Sequence, residues 1–360
     1  FGMAALTAQM NGTGLQFPLN SERIADFAAR FMADKDALLA EHRRAIAEEV
    51  HINAFARHNE IAAAGLGKNK NRYVNSPLFD RGVIVLQRGE KEKDSDYDGN
   101  SDYINASRFV SKKLGEYVLT QAPTDDTLVD FYRMVTQTKA RVIVCLNATL
   151  DESDSFTPYF DPRLKKKFKV GSRFRVRTLS VDQRDCTTTY KLELKDNLLP
   201  SKESISEITV VHVAGWEADE PFEPTRLVKA VRAVEVVDKD NGDKMPIIVH
   251  GSSGIRRTGC FVITSLCYRE IHKCKTVSLF EHVSALRQNR YGVLVQKSKF
   301  CLVLAATLQM ATTNRLVAPD LLAQAIRVLT MLDRRLNAAP KSAEKIKGSA
   351  EGKKKGKGKK

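Results

Sequence analysis

The stretch 245-MPIIVHGSSGIRRTGCFVITSLCY-268 decides the fold. It consists of an apolar run, a glycine-rich loop and a second apolar run. An order of strand, loop and helix usually builds an anion site, because the N–H groups of the first helical turn face the ligand. Gly251 follows His250 at the point where a nucleophile would be expected. The stretch therefore predicts a loop for an anion and raises the question of what the loop does with it.

Strand and helix patterns extend on both sides of this stretch. Runs of apolar and β-branched residues predict strands at 83–87, 103–110, 116–122, 141–147, 173–181, 188–196, 205–213 and 246–250. Apolar residues at spacings of three and four predict helices at 22–50, 124–138, 224–238 and through most of 260–335. Many strands with helices at both ends predict an α+β fold, a large twisted mixed β-sheet flanked by helices.

Composition divides the chain into three parts. We expect a flexible N-terminal segment at 1–19, one domain at 20–336 and a disordered Lys-rich tail at 337–360. The formal charge of the chain is +15, and residues 341–360 hold nine Lys and two Glu, so this tail contributes +7. Such a tail cannot bury apolar surface. It is expected to solubilise the chain or to contact acidic lipid, RNA or acidic proteins.

The composition favours an intracellular globular protein. Hydrophobic residues make up 42% and charged residues 28% of the chain, and no apolar run approaches the roughly 18 residues of a membrane span. The start lacks the pattern of a signal peptide, and its first residue, Phe1, predicts a fragment or a processed product. Six scattered cysteines without metal-ligand spacing predict reduced thiols, no metal site and no cofactor.

Eight stretches in order resemble the protein tyrosine phosphatase domain family over roughly residues 20–312. They are 68-KNKNRY-73, 102-DYINAS-107, 117-YVLTQAP-123, 131-FYRMV-135, 142-VIVCLN-147, Trp216 with an acidic loop, 249-VHGSSGIRRTG-259 and Gln296. The resemblance implies that fold and an anion-binding loop that reads His-Cys, five residues and Arg. In the family, the cysteine thiolate attacks phosphorus, and an aspartate in a Trp-Pro-Asp loop protonates the leaving group.

The resemblance also assigns roles to residues of this chain. The expected phosphate-binding residues are Gly251, Ser252, Ser253, Gly254, Ile255, Arg256, Arg257 and Thr258. Tyr73 is expected to stack on a phosphotyrosine ring, and Asn75 replaces the family's aspartate that holds the peptide backbone. Trp216 and the water-positioning Gln296 are retained. Val293 is expected to narrow the mouth of the site.

Two residues that the chemistry needs are missing. Gly251 stands at the position of the nucleophile, and Ala218 stands at the position of the general acid. Neither side chain can perform its step, so no catalytic residue is expected. Ser252 and Asp219 are the alternatives for a weakly active enzyme with a displaced nucleophile. Loss of a thiolate beside a dianion removes a repulsion of about a few kcal/mol, which favours retained anion binding.

These residues predict a pseudophosphatase. We expect it to bind phosphotyrosine-containing proteins and to shield or sequester them in signalling, since the resemblance implies this role and includes kinases among the partners. The expected location is the cytoplasm, with the nucleus as a second. The alternatives are a phosphate-independent scaffold, a contact protein that acts through its basic tail, and the weakly active phosphatase.

Overall fold

The structure is a computed structural model. It describes residues 22–33, 35–47, 70–73, 76–79, 81–87, 102–240 and 245–316, with single residues between 319 and 330. The predicted segments 1–19 and 337–360 lie outside these residues, so the division into three parts stays a prediction.

Helices lie at both ends of the described chain and between its strands. Their bounds are α1 (Ile24–Ala33), α2 (Lys35–Ala47), α3 (Leu128–Thr138), α4 (Pro224–Asp240), α5 (Arg256–Cys274), α6 (Leu279–Arg287) and α7 (Lys297–Thr313). Both α3 and α5 end at a lysine in the left-handed region, Lys139 and Lys275, whose N–H groups cap the preceding turn. None of the described helices is long and apolar enough to cross a membrane.

Nine strands form one mixed sheet. They are β2 (Val83–Val85), β3 (Tyr103–Ser111), β4 (Gly115–Gln121), β5 (Val142–Cys145), β6 (Lys167–Val170), β7 (Phe174–Arg184), β8 (Thr187–Asp196), β9 (Ile205–Val213) and β10 (Ile247–Gly251). Their order across the sheet is β2-β3-β4-β10-β5-β9-β8-β7-β6. The short strands β1 (Glu22–Arg23) and β11 (Thr276–Val277) pair separately.

The centre of the sheet is parallel and its two sides are antiparallel. Strand β10 pairs in parallel with β4 and β5, and β5 pairs in parallel with β9. Parallel strands point their carboxyl ends at the same edge, and ligands of such sheets bind outside that edge. His250 at the end of β10 is in register with Thr120 on β4 and Cys145 on β5. The topology therefore puts the glycine-rich loop at the carboxyl edge of the central strands.

The core lies on both faces of the sheet. Alternate residues of the central strands enter different clusters: Val144 packs with the helices α4, α5 and α7, whereas Ile143 packs with α3. Helix α5 is buried along most of its length, from Arg257 to Ile271. Its placement in the core fixes the position of its N-terminus, where the glycine-rich loop ends.

The predicted α+β fold with a large mixed sheet flanked by helices is confirmed. Two details of the prediction are wrong. Glu22 and Arg23, at the start of the predicted helical segment 22–50, form strand β1 instead. Strand β6 was not predicted, because Lys165, Lys166, Lys167 and Lys169 dilute the apolar pattern of Phe168 and Val170.

Candidate functional site

The glycine-rich loop connects the end of β10 to the start of α5. Gly254 adopts a φ of +67°, and a Cβ at this position would lie 2.2 Å from the carbonyl oxygen of Thr120 on β4. Only glycine allows both this backbone conformation and this close approach. The N–H of Ala122 donates to the carbonyls of Gly251 at 2.8 Å and Ser252 at 3.2 Å. The loop is thus held against β4 through its backbone.

Gly251 lies in a space that a larger side chain could fill. Its backbone is an extended strand end, and a Cβ built on it would lie 3.4 Å from Nε of Arg257 and 3.7 Å from Oγ1 of Thr258. These are ordinary van der Waals distances. Glycine is therefore not required here by the fold, unlike Gly254.

Arg257 is buried beside this position. It is 5% exposed, its Nη1 donates to the carbonyl of Trp216 at 2.6 Å, and its Nη2 donates to Oγ of Ser252 at 2.7 Å. Burial lowers the pKa of its guanidinium. A guanidinium remains charged even when its pKa falls. Arg257 is thus a fixed positive charge at the loop, and it also links the loop to the segment that carries Trp216.

A second buried arginine, which the sequence analysis did not identify, supports the loop from below. Arg290 is 1% exposed and donates to the carbonyls of Ser253 at 3.0 Å and Gly254 at 3.2 Å. It also donates to Oδ1 of Asn105 at 2.7 Å. Burial lowers the pKa of Arg290 to about 10. Arg290 therefore orders the loop carbonyls and adds a second charge beneath it.

Neither of these arginines has a carboxylate partner in the described chain. Their polar partners are carbonyl, amide and hydroxyl groups. By contrast, the buried Arg269 is neutralised by Glu235 at 2.7 Å and Asp238 at 2.6 Å. An unpaired buried charge is unfavourable, so a site that collects two of them attracts an anion.

Several buried polar atoms around the loop have no hydrogen-bond partner in the described protein. They are Oγ1 of Thr258, Nδ1 of His250, Oδ1 of Asn147, Nε1 of Trp216 and Oε1 of Gln296. Thr258 is fully buried in the first turn of α5, next to the space at Gly251. Buried polar groups in folded proteins are normally paired. Their concentration at one place indicates a region built to be completed by a polar ligand or by water.

His250 is a buried structural residue of the site. Its Nε2 is 3.0 Å from the hydroxyl of Tyr159, and aromatic rings surround it, including Phe131 and Phe156. Burial, with smaller contributions from the charges of His212 and Arg257, lowers the pKa of His250 to about 3. The imidazole is therefore neutral at physiological pH and supplies no proton for acid catalysis.

The segment after β9 carries the position of the missing acid. Trp216 is buried and stacks on Phe222 with ring centroids 4.3 Å apart. Ala218 follows two residues later, and its methyl group cannot donate a proton. Asp219 is 78% exposed and its Oδ1 pairs with Nη1 of Arg256 at 2.7 Å. Asp219, one of the two carboxylates adjacent to position 218 in sequence, is thus held at the surface by Arg256.

The predicted recognition residues lie on a different segment. Tyr73 is exposed, whereas Asn75 lies outside the described residues. Gln121, the last residue of β4, holds the backbone of this segment: its Oε1 accepts the N–H of Arg72 at 3.0 Å, and its Nε2 donates to the carbonyl of Lys70 at 2.7 Å. Gln121 is paired in register with Gly251, so it couples the recognition segment to the loop.

A cavity of about 490 Å³ lies beside Arg72. It is lined by Arg72, Thr124, Asp125, Glu152, Ser153, Asp154 and Thr157. The guanidinium of Arg72 is committed to the carbonyls of Pro123 and Asp154, each at 2.6 Å. The acidic side chains therefore determine the charge of this cavity, and the anion-attracting charges lie at the loop.

Gln296 and Val293 precede helix α7. Gln296 caps this helix through its carbonyl, which accepts the N–H groups of Lys299 and Phe300. The expectation that Val293 narrows the mouth is wrong, because Val293 is fully buried and packs against Gly259. Gly292 instead approaches the loop: a Cβ there would lie 3.3 Å from Cγ2 of Ile255.

The described residues contain no group of three His, Cys, Asp or Glu side chains placed to hold a metal ion. The loop offers hydrogen-bond donors and positive charge, which are the groups that bind phosphate or sulfate. The arrangement can bind a tetrahedral anion. It lacks both a nucleophile at position 251 and an acid at position 218.

Comparison with known proteins relates this site to one family. A protein-family model described as protein-tyrosine phosphatase matches residues 67–309. Receptor-type tyrosine-protein phosphatase F from Danio rerio is 24% identical over 322 residues, which are 88% of this chain and 16% of the relative. Tyrosine-protein phosphatase non-receptor type 2 from Rattus norvegicus is 28% identical over 239 residues, 66% of this chain and 54% of the relative.

A viral protein is similar to a comparable extent. Tyrosine phosphatase H3 from Microplitis demolitor bracovirus is 29% identical over 251 residues, 64% of this chain and 78% of the relative. The chain spans only part of the length of the Danio rerio and Rattus norvegicus relatives, 16% and 54%.

Proposed function

We propose that this chain, which belongs to the protein-tyrosine phosphatase family, binds phosphotyrosine-containing proteins without hydrolysing them. In binding, it shields or sequesters the phosphorylated side chain. Kinases are one class of phosphorylated partner, and the cytoplasm is the proposed location, with the nucleus as a second. The proposal follows from which parts of the site are kept and which are absent.

One observation carries the proposal. Two buried guanidiniums, of Arg257 and Arg290, meet at the glycine-rich loop without a carboxylate partner in the described chain. Some other buried cations are neutralised by a carboxylate, as Lys70 is by Asp130 at 3.0 Å. A dianionic phosphate supplies the missing negative charge, and charge-assisted hydrogen bonds to it are about twice as strong as neutral ones.

The groups around the loop support the same ligand. Helix α5 has 19 residues, so its N-terminus directs a partial positive charge and free N–H groups towards the loop. Thr258 offers an unpartnered hydroxyl in the first turn. Tyr73, exposed on the segment that Gln121 joins to the loop, supports recognition of an aromatic phosphate ester over a free anion.

Among the described residues, none obviously replaces the nucleophile or the general acid that hydrolysis requires. The hydroxyl of Ser252 accepts hydrogen bonds from Arg257 at 2.7 Å and from Asn147 at 3.3 Å. Neither donor is a base that could remove its proton. Asp219 is exposed and paired with Arg256. These contacts argue against the weakly active alternative, for which Ser252 and Asp219 were the candidates.

Calorimetric titration with a phosphotyrosine peptide and its unphosphorylated form tests the proposal. We expect binding of the phosphorylated peptide only. Arg257→Ala should weaken it by about 100-fold or more, because charged hydrogen bonds contribute about 1.5–3 kcal/mol each. Arg184→Ala is the matched control, since it removes an equal charge from an exposed position outside the loop. Equal affinity for both peptides, or equal effects of the two changes, would refute the proposal.

A phosphate-independent scaffold is the second candidate. The observation in its favour is that Arg257 already has two protein partners, Trp216 and Ser252, and so is useful to the fold without any ligand. In that case Arg257→Ala would lower stability and leave partner binding unchanged. Measuring the free energy of unfolding and the peptide affinity on the same variant separates the two candidates.

A further inference from the structure

A strongly basic segment forms the edge of the large sheet. The sequence 163-RLKKKFKVGSRFRVR-177 contains eight Lys and Arg residues and no Asp or Glu. It builds strand β6 at the sheet edge and the start of β7. The side chains of Lys165, Lys166, Lys167 and Lys169 are exposed. This segment takes no part in the loop site.

The register of the strands places three cations side by side. Lys169 on β6 is opposite Arg175 on β7, and Arg175 is opposite Lys195 on β8. All three are exposed. Neighbours in register lie on the same face of a sheet, and like charges directly opposite each other are destabilising. None of the three has an ion pair or side-chain hydrogen bond among the described residues. We call these three residues the cation row.

The next row along the same face is compensated. There Lys167 is opposite Arg177, and Arg177 is opposite Glu193 on β8, with which it pairs at 2.8 Å. Glu207 follows on β9. The sheet thus accommodates carboxylates next to cations on this face. The cation row has no such carboxylates, so an anionic partner outside the chain would compensate its charge.

Protection of the sheet edge explains only part of this pattern. Lysines on an edge strand discourage pairing with other chains. That accounts for Lys169 on β6. It does not account for Arg175 and Lys195, because β7 and β8 are interior strands.

The cation row lies far from the glycine-rich loop. Strand β9 leads towards Trp216 at its carboxyl end, and Ile205 at its start is opposite Lys195. The nine residues of β9 span about 30 Å at roughly 3.3 Å per residue. A ligand at the cation row would therefore leave the loop accessible.

We propose that this face of β6, β7 and β8, centred on the cation row, binds the surface of an anionic phospholipid bilayer. The face is a sheet surface about 10 Å wide across three strands, and it suits a planar array of negative headgroups. An exposed aliphatic side chain continues the row, since Ile205, 55% exposed, is opposite Lys195. It provides apolar contact at the headgroup boundary.

Nucleic acid fits this face less well. Single-stranded nucleic acid is usually bound by stacking its bases on exposed aromatic rings. On the three strands, Phe174 and Tyr190 are buried, and Phe168 is half-buried. The face offers cations and aliphatic groups without such a platform.

Vesicle co-sedimentation tests the proposal on the full chain. The probes are phosphatidylcholine vesicles with and without phosphatidylserine. The triple change Lys169→Gln, Arg175→Gln and Lys195→Gln should reduce partitioning onto the anionic vesicles by about 100-fold at about 0.1 M salt, where charges farther than about 10 Å from the membrane are screened. The matched control is the triple change Lys112→Gln, Lys113→Gln and Lys239→Gln, three exposed cations elsewhere. It should reduce partitioning less than about threefold, because charges away from the bound face are screened by salt.

Further measurements show which negative result would overturn the proposed bilayer binding and for what reason. Equal losses in both triple variants, or a loss only when the nine tail lysines of 341–360 become glutamine, would overturn the proposal. Tighter binding of double-stranded RNA or polyglutamate than of vesicles would assign the face to another partner. The cation-row variant should melt no lower than the wild type, since a repulsion is removed. It should also retain phosphotyrosine-peptide binding, so this inference stands or falls separately from the proposed function.

Discussion

Introducing a thiol at position 251 tests whether the loop still has a strong positive potential. The change Gly251→Cys is compatible with the fold, because a Cβ there lies 3.4 Å from Nε of Arg257 and 3.7 Å from Oγ1 of Thr258. No backbone rearrangement is needed, since these distances are ordinary contacts. The thiol would sit beside the Arg257 guanidinium and the N-terminus of α5.

Two effects of opposite sign determine the pKa of this thiol. A unit positive charge at about 4–5 Å with an effective dielectric near 20 stabilises the thiolate by about 3–4 kcal/mol, or about 2–3 pKa units. Burial acts in the other direction: it raises the pKa of the nearby Cys145 thiol to about 12, although Arg257 lowers it in part. Position 251 adjoins the charge directly, so attraction wins. From a reference near 8.5, we expect a pKa of about 6.

The rate of alkylation by iodoacetamide as a function of pH measures this pKa. The exposed Cys274 should first be changed to Ser, because it would compete for the reagent. The thiolate is the reactive form, so the rate at position 251 should rise through pH 6 and level off above pH 7. Adding Arg257→Gln should return the midpoint to about 8 or above. A midpoint near pH 8.5 that stays the same when Arg257→Gln is added would refute the electrostatic reasoning.

The same variant extends to hydrolysis. Combining Gly251→Cys with Ala218→Asp restores both a nucleophile and an acid, and we expect slow hydrolysis of a phosphotyrosine substrate that the single variants lack. A reactive thiol without hydrolysis in the double variant would show that the Trp216 segment does not bring position 218 to the leaving group. Absence of phosphate-analogue binding by the folded double variant would refute the proposed anion site itself.

Three further changes probe the loop. Gly254→Ala should destabilise the domain by about 2–4 kcal/mol in urea unfolding, because of its positive φ and the clash below it, whereas Gly251→Ala should cost nothing. For His250, the native pKa of about 3 lies below the unfolded value near 6.5, so only the unfolded chain binds the proton between them. Stability should therefore fall as pH drops from 6.5 towards 3, by up to about 1.4 kcal/mol per pH unit, and His250→Gln should flatten this slope while the exposed His272→Gln leaves it unchanged. Arg290→Gln should weaken phosphopeptide binding by at least about tenfold, although the Arg290 side chain contacts the loop carbonyls and not the ligand. Unchanged affinity would contradict the role of Arg290 beneath the loop.

The fold was largely predictable because its signals are local and repeated. Strands such as β5 and β10 are apolar runs between turn residues, and α5 begins directly after a glycine-rich loop. Strand β6 was not predictable, because four lysines obscure the apolar pattern of its two inward-facing residues. It is a strand only through its pairing with β7. Strand β1 likewise depends on pairing with the distant strand β11 and not on a local pattern.

The chemical groups of the site could be predicted from the sequence more readily than the residues that hold the loop in place. The absence of a nucleophile and an acid follows from the letters at 251 and 218. The roles of Arg290 and Gln121 depend on contacts across 36 and 51 residues of chain, with Gly254 and Lys70. A buried arginine in a polar run such as 287-RQNR-290 gives no sign of its burial in sequence alone. The pairing of Asp219 with Arg256 also became visible only in three dimensions.

Retention of Arg257 does not by itself identify a ligand, because the residue also stabilises the protein. It joins the Trp216 segment to the loop, and an unliganded scaffold would keep it for that reason. Stability alone, however, would favour a carboxylate near two buried guanidiniums, as at Arg269, where Glu235 and Asp238 supply it. Gly251 stands where the resemblance places a nucleophile, although the fold would accept a larger side chain there, and neither buried guanidinium forms an ion pair with a carboxylate among the described residues. A protein that gains nothing from an anion would have no reason to leave Arg257 and Arg290 in this state.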